Sequence, residues 1–462
     1  MTGDTVEISK SRYLRIFETA GDGRALAWHS LFGNPVLLSP HTHQILLHGR
    51  CADLSPATKA VLHDLFFLVE KNEDERTLVE RELVARHDSI RGGGRLRALQ
   101  LNVCESCNLG CAYCFADRVD ETSLPIIRST RARGRMMSVG AASDAIDAAA
   151  RVLERHGTPA LVVKFFGREP LLNWPTIDAI LAKYAPLTSP ISYRFAITTN
   201  ATGIQEDIAR RFHDCSVQVV VSLDGLQDAN TQRTLPTGEG SFERVDLALT
   251  CLQHAGVKTA IACVLSPANF ESLGDDFLGY LESRSIHEVE IRVAMQNEYG
   301  AGFADATWTN KLVQLHRSGR QRGILVTGDW YHPFSGLLQT MRRRGHATTT
   351  RLAPPACSAS EHQLSVEPNG EIFPCRAMRR PLAMSGGIDV AVQTDEYVDL
   401  VMRTYGSVDS CKGCDLEGLC QGVCLGHVEE RLGTIYGRDE TFCKIYRDAF
   451  SLLVQDYLEC LV

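Results

Sequence analysis

The sequence lacks the features that mark several common classes of protein. No stretch reaches the roughly 18 consecutive apolar residues that a membrane-spanning helix needs. The first residues, MTGDTVEISKSRYLRIFE, contain no apolar core of a secretory signal. Positive charge is not in excess either: the net charge is −8, whereas nucleic-acid-binding domains are usually basic. We therefore expect a cytoplasmic protein with no membrane and no nucleic acid among its partners.

Cysteine, in contrast, is abundant, with 16 residues in the chain. In a reducing compartment such residues are more often metal ligands or catalytic groups than disulfides. Four lie between Cys104 and Cys114, and seven lie between Cys357 and Cys443. The remaining five are scattered, and we expect them to be small buried apolar side chains. Two metal-binding regions are therefore predicted.

The first 90 residues contain three short runs typical of strands, YLRIFE, ALAWHS and NPVLLS. A helical pattern, SPATKAVLHDLFFLVEKNEDE, follows, with Ser55 as a plausible N-cap and Pro56 at the first helical position. Strands and then helices in so short a segment predict a winged-helix-like domain over residues 1–90.

Residues 96–300 alternate between strand and helix patterns, which predicts a parallel sheet of βα units. Six strands fall short of the eight of a closed barrel, so we predict an open, partial (β/α)6 barrel within an α/β protein. Functional groups then belong at the carboxyl ends of the strands. The chain is expected to become irregular afterwards, with a bridging region over 301–345 and an irregular cysteine-rich domain over 346–462 that needs metal to hold it. The six predicted strands are LRALQLNV, ALVVKFF, YRFAITT, VQVVVSL, KTAIACVL and EVEIRVAM.

The first cysteine group permits two interpretations. Cys107, Cys111 and Cys114 form C-x3-C-x2-C directly after the first barrel strand, with Tyr113 before the last cysteine. This arrangement resembles the radical SAM superfamily, in which three thiolates hold a [4Fe–4S] cluster and leave one iron open for S-adenosylmethionine (SAM). The alternative pairs Cys104 with Cys107 and Cys111 with Cys114 as zinc knuckles, but such pairs usually lie about 15–20 residues apart. In the first interpretation Cys104 is not a ligand.

Motifs at later strand ends strengthen this resemblance. FFGREP is similar to the family's Gly-Gly-Glu-Pro motif, with Arg168 in place of the second glycine, which leaves the backbone path open. TTNAT and VSLDG are similar to motifs after the third and fourth strands, and Arg233 lies where relatives place an arginine for the SAM carboxylate. The residues that the resemblance assigns to SAM are Tyr113, Gly167, Arg168, Glu169, Thr199, Asn200, Ser222 and Arg233.

The second cysteine group resembles the SPASM extension, which binds two auxiliary iron–sulfur clusters. The order is Cys357, Cys375 in a G-x4-C motif, Cys411-x2-Cys414-x5-Cys420-x3-Cys424, and Cys443. The resemblance implies an outer cluster on Cys411, Cys414, Cys420 and Cys443 and an inner cluster on Cys357, Cys375 and Cys424. Seven ligands are one fewer than two cubane clusters need, so the inner cluster has either an open iron or a non-cysteine ligand. A structural zinc site in C-x2-C-x5-C is the alternative.

The resemblance implies the cofactors SAM and three [4Fe–4S] clusters, one of which binds SAM. It also implies an enzyme that generates a 5′-deoxyadenosyl radical, with an electron donor such as flavodoxin or ferredoxin as a partner. SPASM enzymes mostly modify peptides or proteins. Residues 1–90 look similar to the peptide-recognition element of ribosomal-peptide maturation enzymes, which binds a leader peptide as an added strand. A structural cap is the alternative role for that segment.

The leading hypothesis is therefore an oxidative crosslink, as a thioether, C–C or ether bond, in a ribosomally made precursor peptide with a leader. Sulfatase-maturing relatives carry a catalytic aspartate after the G-x4-C cysteine, where this chain has Arg376, so sulfatase maturation is not expected. No catalytic acid or base stands out. The alternatives are oxidation of a protein side chain or a small molecule, or a non-catalytic iron–sulfur or zinc protein.

Overall fold

The structure of the chain is a computed structural model. It describes residues 7–18, 23–71, 74–114, 134–188, 190–294, 305–342, 357, 359, 362–383, 387–402, 409–420 and 422–460. The predicted boundaries at 300/301 and 345/346 lie outside these residues.

Strands and helices alternate through the middle of the chain. The strands are β1 (Ile8–Lys10), β2 (Leu14–Glu18), β3 (Ala25–His29), β4 (Gly33–Leu38), β5 (Leu68–Glu70), β6 (Ala98–Cys104), β7 (Ala160–Gly167), β8 (Ser192–Thr199), β9 (Gln218–Ser222), β10 (Thr259–Leu265), β11 (Glu288–Val293), β12 (Leu325–Thr327), β13 (Gln363–Val366) and β14 (Ile372–Phe373). The helices are α1 (Pro40–Leu47), α2 (Pro56–Asp64), α3 (Glu75–Ile90), α4 (Val139–Arg155), α5 (Trp174–Tyr184), α6 (Glu206–Asp214), α7 (Phe242–His254), α8 (Asp275–Ser283), α9 (Ala306–Gln321), α10 (His332–Arg342), α11 (Gly387–Ala391), α12 (Asp395–Met402), α13 (Leu425–Leu432) and α14 (Glu440–Glu459). None of these helices is both long enough and apolar enough to cross a membrane.

The six predicted barrel strands are present as β6 to β11, each parallel to the next. In space the sheet runs β12-β11-β10-β9-β8-β7-β6-β13-β14. The parallel strands β12 and β13 add one strand at each side, and β14 pairs antiparallel with β13. Because each parallel connection carries a helix over one face of the sheet, the result is the expected open α/β partial barrel.

Side chains alternate between the two faces of the barrel strands. In β7, Leu161, Val163 and Phe165 are fully buried in the core that α4 and α5 complete. The intervening Lys164 and Phe166 are only partly buried and lie on the opposite face, which we call the inner face. Buried β-branched and aromatic residues toward the helices explain why these segments form strands.

The amino-terminal segment contains the three predicted strands as the antiparallel sheet β2-β3-β4. Ser55 caps α2 as predicted, since its side chain accepts a hydrogen bond from Thr58 N. The prediction of one long helix over SPATKAVLHDLFFLVEKNEDE was wrong. The helix ends before Phe66, whose φ is +61°, and Leu68–Glu70 is a strand that pairs with β1. Pairing with a distant strand overrides the local helical pattern here.

Residues 306–342 are more regular than predicted, because they form α9, β12 and α10. The buried side chains of Trp308, Leu312 and Leu315 share one face of α9. The short strand β12 then joins the barrel sheet beside β11. This segment therefore continues the βα pattern rather than interrupting it.

The three-stranded sheet packs directly on the cysteine-rich region. The ring centroids of Trp28 and Phe450 are 5.5 Å apart, and Arg15 Nε donates to the backbone oxygen of Cys414 (3.4 Å). Gly418, at φ +80°, approaches so closely that a Cβ atom would lie 2.3 Å from the backbone oxygen of Ser30. The contact therefore needs glycine at this position.

Candidate active site

The first cysteine group lies in the loop that follows β6. Two backbone hydrogen bonds hold this loop against the segment after β9. Gly110 N donates to Thr234 O (2.8 Å), and Ala112 N donates to Gln232 O (3.1 Å). The loop is thereby fixed at the carboxyl end of the sheet, where functional groups are expected in parallel α/β folds.

The three thiols of this loop influence one another electrostatically. Burial raises the pKa of Cys107 to about 12, and the thiols of Cys111 and Cys114 are among the groups that raise it. The Cys107 sulfur accepts hydrogen bonds from Leu109 N (3.4 Å) and Asn200 Nδ2 (3.8 Å). Neighbouring buried thiols ionise only where positive charge compensates them, which is what a metal centre supplies.

The separation of the thiols is unlike that of a zinc site. Tetrahedral zinc with Zn–S bonds of about 2.3 Å places its sulfurs about 3.8 Å apart. Among the described residues no three of the cysteine sulfurs lie within 4.8 Å of one another. Ligands of a cubane cluster bind different iron atoms, so this spacing is compatible with clusters on the ten predicted cysteines.

One other group has the spacing of a single-ion site, formed by Glu290, Asp329 and His332. Arg292 already pairs with Glu290 (2.7 Å) and lies 4.0 Å from Asp329. This arginine compensates both carboxylates, so the group requires no metal for charge balance.

Glu169 is held in a fully formed pocket at the end of β7. Its side chain is 1% exposed and accepts hydrogen bonds from Thr199 Oγ1 (2.6 Å), Asn200 N (2.7 Å) and Leu171 N (3.0 Å). Burial raises the pKa of Glu169, while these donors oppose the rise. The carboxylate is therefore preorganised to accept from a cationic ligand.

Gly167 and Arg168 connect the motif to the cysteine loop. Gly167 has φ +144°, and a Cβ atom there would lie 2.4 Å from the backbone oxygen of Cys104. Arg168 N donates to that same oxygen (2.9 Å), and Arg168 is not among the residues with positive φ. Arginine therefore fits at the second glycine position, because the backbone there does not need a positive φ and its amide still makes the contact.

The turn after β8 brings Asn200 onto the cysteine loop. Its Nδ2 donates to Asn108 Oδ1 (2.8 Å), and its Oδ1 accepts from Thr202 Oγ1 (2.8 Å). Ala201 has φ +62°, a conformation that costs a non-glycine residue about 1–3 kcal/mol. The surrounding hydrogen bonds hold this strained turn against the loop of Cys107.

Tyr113, Asp224 and Arg233 form a buried network beside Cys111. Arg233 Nη1 donates to Tyr113 Oη (2.7 Å) and lies 3.9 Å from Asp224 Oδ2, and Tyr113 Oη donates to Asp224. Arg233 Nε is buried and has no hydrogen-bond partner among the described residues. An unpartnered buried guanidinium nitrogen is suited to an anionic group such as the SAM carboxylate. Ser222 is the last residue of β9 and lies two residues before Asp224. Asp224 belongs to the VSLDG motif, but its role depends on its contacts with Tyr113 and Arg233.

Thiols of the carboxyl-terminal cysteine group influence one another electrostatically. Burial raises the pKa of Cys424 to about 12, and Cys357 and Cys375 are among the groups that raise it. Burial also raises the pKa of Cys420 to about 12, with contributions from Cys443 and Cys411. Cys414 and Cys411 contribute in turn to the raised pKa of Cys443.

Arg376 lies between the two cysteine regions. Its Nη1 donates to the backbone oxygen of Gly167 (3.1 Å), and its guanidinium lies 3.4 Å from the ring centroid of Phe166. Burial lowers the pKa of Arg376 to about 9, while Cys375 and Cys114 act in the opposite direction. The residue that replaces the aspartate of sulfatase-maturing enzymes is therefore a cation between both thiol groups.

The barrel region matches a known family. Residues 101–277 match the model of the radical SAM superfamily. The radical SAM cyclopropyl synthase TigE of Paramaledivibacter caminithermalis is 25% identical over 390 residues, which cover 84% of this chain and 80% of TigE. A cysteine-type anaerobic sulfatase-maturating enzyme of Clostridium novyi is 22% identical over 372 residues, which cover 75% of this chain and 92% of that enzyme.

Solved structures share the fold. Native anSMEcpe with bound AdoMet has a TM-score of 0.60 at 18% identity and covers 79% of this chain and 100% of its own. Streptococcus suis SuiB bound to precursor peptide SuiA has a TM-score of 0.53 at 16% identity and covers 94% of this chain and 99% of its own. The match over residues 101–277 includes the first cysteine group and the motifs that surround it. Residues 101–277 therefore form a radical SAM domain, of a superfamily whose members are enzymes that bind SAM and a [4Fe–4S] cluster.

Proposed function

We propose that this enzyme installs an oxidative crosslink in a ribosomally made precursor peptide. The observation that carries the proposal is the second set of thiols, Cys357, Cys375 and Cys424, beside the SAM site. Arg376 links the two regions, because it follows Cys375 in sequence and donates to Gly167 O of the SAM motif. An electron acceptor held there would lie next to the reacting substrate.

The first site offers polar groups that would hold SAM. Glu169 would accept from the SAM amino group, and Arg233 Nε would donate to the SAM carboxylate, while Tyr113 and Asp224 hold Arg233 in place. Cys107, Cys111 and Cys114 would hold a [4Fe–4S] cluster, which would supply the electron for reductive cleavage of SAM.

The peptide substrate is supported by an open sheet edge. Among the described strands, β2 pairs only with β3, while β4 packs against α10. Ser30 N donates to Tyr13 O (2.8 Å), so the register directs the backbone groups of Arg15 and Phe17 toward β3. The backbone groups of Ile16 therefore face outward and are available to an added strand. SuiB, which shares the fold, was crystallised with its precursor peptide.

The direct test is anaerobic turnover of a candidate precursor peptide with SAM and reduced flavodoxin or ferredoxin. We expect 5′-deoxyadenosine and a peptide that is lighter by about 2 Da, because joining two substrate atoms removes two hydrogens. Tandem mass spectrometry separates the outcomes. A crosslink suppresses fragmentation between the joined residues. Ring closure within one residue, as the likeness to TigE would favour, instead confines the mass loss to that residue. An unchanged mass alongside SAM cleavage would contradict the proposal.

Leader binding is tested at the outward amide of Ile16. Ile16→Pro removes this one donor and should weaken the affinity for a fluorescent leader peptide about tenfold, measured by anisotropy. Ile16→Ala is the matched control, because it removes the same partly buried side chain but keeps the amide. Equal affinities of the two variants would argue for the structural-cap alternative.

A further inference from the structure

A chain of hydrogen bonds crosses the inner face of the barrel. Lys164 Nζ donates to Gln363 Oε1 (2.9 Å), Gln363 Nε2 donates to Gln100 Oε1 (3.2 Å), and Gln100 Nε2 donates to Asn102 Oδ1 (3.1 Å). Asn102 Nδ2 finally donates to Glu367 Oε1. The chain links the neighbouring strands β7, β6 and β13 and ends on a carboxylate just after β13.

The two ends of this chain fix its direction. The ammonium group of Lys164 can only donate, and an ionised Glu367 can only accept. The three amides between them are therefore oriented in one sense, with each donor directed toward the carboxylate. Because every bond polarises the next, the chain strengthens as a unit. A second hydrogen bond, from Asn102 Nδ2 to Ser365 Oγ (3.2 Å), anchors the last amide. The result is a carboxylate held in one orientation.

The groups around Glu367 bring the pKa of its carboxyl group close to neutral pH. Burial raises the pKa of Glu367 to about 7, and the carboxylates of Glu105 and Glu371 also raise it. Asn102 and the guanidinium of Arg376 lower it. A carboxylate balanced in this way can accept a proton at cellular pH and release it again.

Glu367 also lies at the reacting end of the barrel. Its neighbour Arg376 donates to Gly167 O of the SAM motif, and Arg376 interacts with both Cys114 and Cys375. The carboxylate therefore lies near Arg376, on the side where the strands end. The sequence did not single out this residue, because nothing in EPNGEIFPC distinguishes it from an ordinary turn carboxylate.

We propose that Glu367 is the base that accepts the substrate proton during bond formation, which rests on the proposed function. Transfer of one hydrogen atom from substrate carbon to the 5′-deoxyadenosyl radical breaks the first C–H bond. The second substrate group then loses its proton to Glu367, and its electron pair forms the new bond to the carbon radical. One electron remains and passes to an auxiliary iron–sulfur cluster. The substrate has then lost one hydrogen atom, one proton and one electron, which equals two hydrogens.

The test is Glu367→Gln, which keeps an acceptor for Asn102 but removes the base. We expect 5′-deoxyadenosine formation within about twofold of the wild type and crosslinked product about 100-fold lower. In the wild type, product per deoxyadenosine should increase about tenfold per pH unit up to about pH 7, where Glu367 ionises, and then level off. The variant should lose this dependence.

Glu371→Gln is the matched control, since it makes the same chemical change four residues away on the same hairpin. Because loss of the Glu371 charge can only lower the pKa of Glu367, the product yield above pH 7 should stay within about twofold of the wild type. Iron content and thermal unfolding of both variants are checked in parallel. A wild-type yield and pH profile in Glu367→Gln would overturn the inference. Failure of the proposed function is distinct, because it appears in the wild-type enzyme as peptide of unchanged mass.

Discussion

Cys111→Ala should abolish SAM cleavage, while Cys104→Ala should leave it largely intact. Cys111 is one of three mutually interacting thiols beside Arg233, and a cluster that loses one of three protein ligands is not retained. We expect the iron content to fall from about twelve to about eight atoms per chain, because the two proposed auxiliary clusters would remain. The measurements are iron analysis, electron paramagnetic resonance of the reduced protein and 5′-deoxyadenosine formation.

Cys104 differs from its neighbours because it ends β6 with 1% exposure. Its sulfur accepts a hydrogen bond from Ser106 N (3.3 Å), and its backbone oxygen receives Arg168 N. Substitution by alanine keeps the backbone contact and should lower the free energy of unfolding by about 1–2 kcal/mol. Equal loss of iron in both variants would mean that the ligand set includes Cys104, as in the paired zinc-knuckle arrangement.

Arg233→Met should weaken SAM binding about 100-fold and also destabilise the fold. The variant removes the guanidinium that we assign to the SAM carboxylate, and truncating one partner of a buried charge pair costs about 2–5 kcal/mol. It also leaves Asp224, which is 1% exposed, without its cation, at a cost of about 3–5 kcal/mol in the free energy of unfolding. Equilibrium binding of SAM and chemical denaturation measure the two effects separately.

The double variant Arg233→Met/Asp224→Asn separates stability from binding. Neutralising Asp224 removes the uncompensated charge, so most of the lost stability should return, and the amide can still accept from Tyr113. SAM affinity should stay low, because no donor replaces Arg233 Nε. Recovery of SAM affinity together with stability would show that Arg233 acts only as a structural partner of Asp224.

Local patterns in the sequence predicted the strands of the barrel well. The six strands are recognisable because each buries a continuous apolar face, and Ser55 caps its helix through a contact three residues away. The cysteine spacings are equally local. The pattern failed at Leu68–Glu70, where pairing with β1 decides the structure, and at α9 and β12, which the sheet edge stabilises.

The polar groups of the site were harder to predict. Glu367 acquires its properties from Asn102 and Arg376, and Asn102 lies 265 residues away in the chain. Asp224 likewise depends on Tyr113, which is 111 residues distant. Such contacts exist only once the strands are assembled, so neither composition nor spacing reveals them. A search for carboxylates shortly after predicted strands would have included Asp224. It would have missed Glu367, because the strand Gln363–Val366 was not predicted.

The close packing of the three-stranded sheet on the cysteine-rich region has a thermodynamic consequence. Arg15 of β2 bonds to the backbone of Cys414, and Gly418 in the same loop touches Ser30. Occupancy of the proposed outer cluster and affinity for a peptide on the β2 edge would therefore be linked, and the linkage would be reciprocal. Destruction of the outer cluster by oxygen would then release the peptide unmodified, whereas a bound peptide would slow the loss of iron.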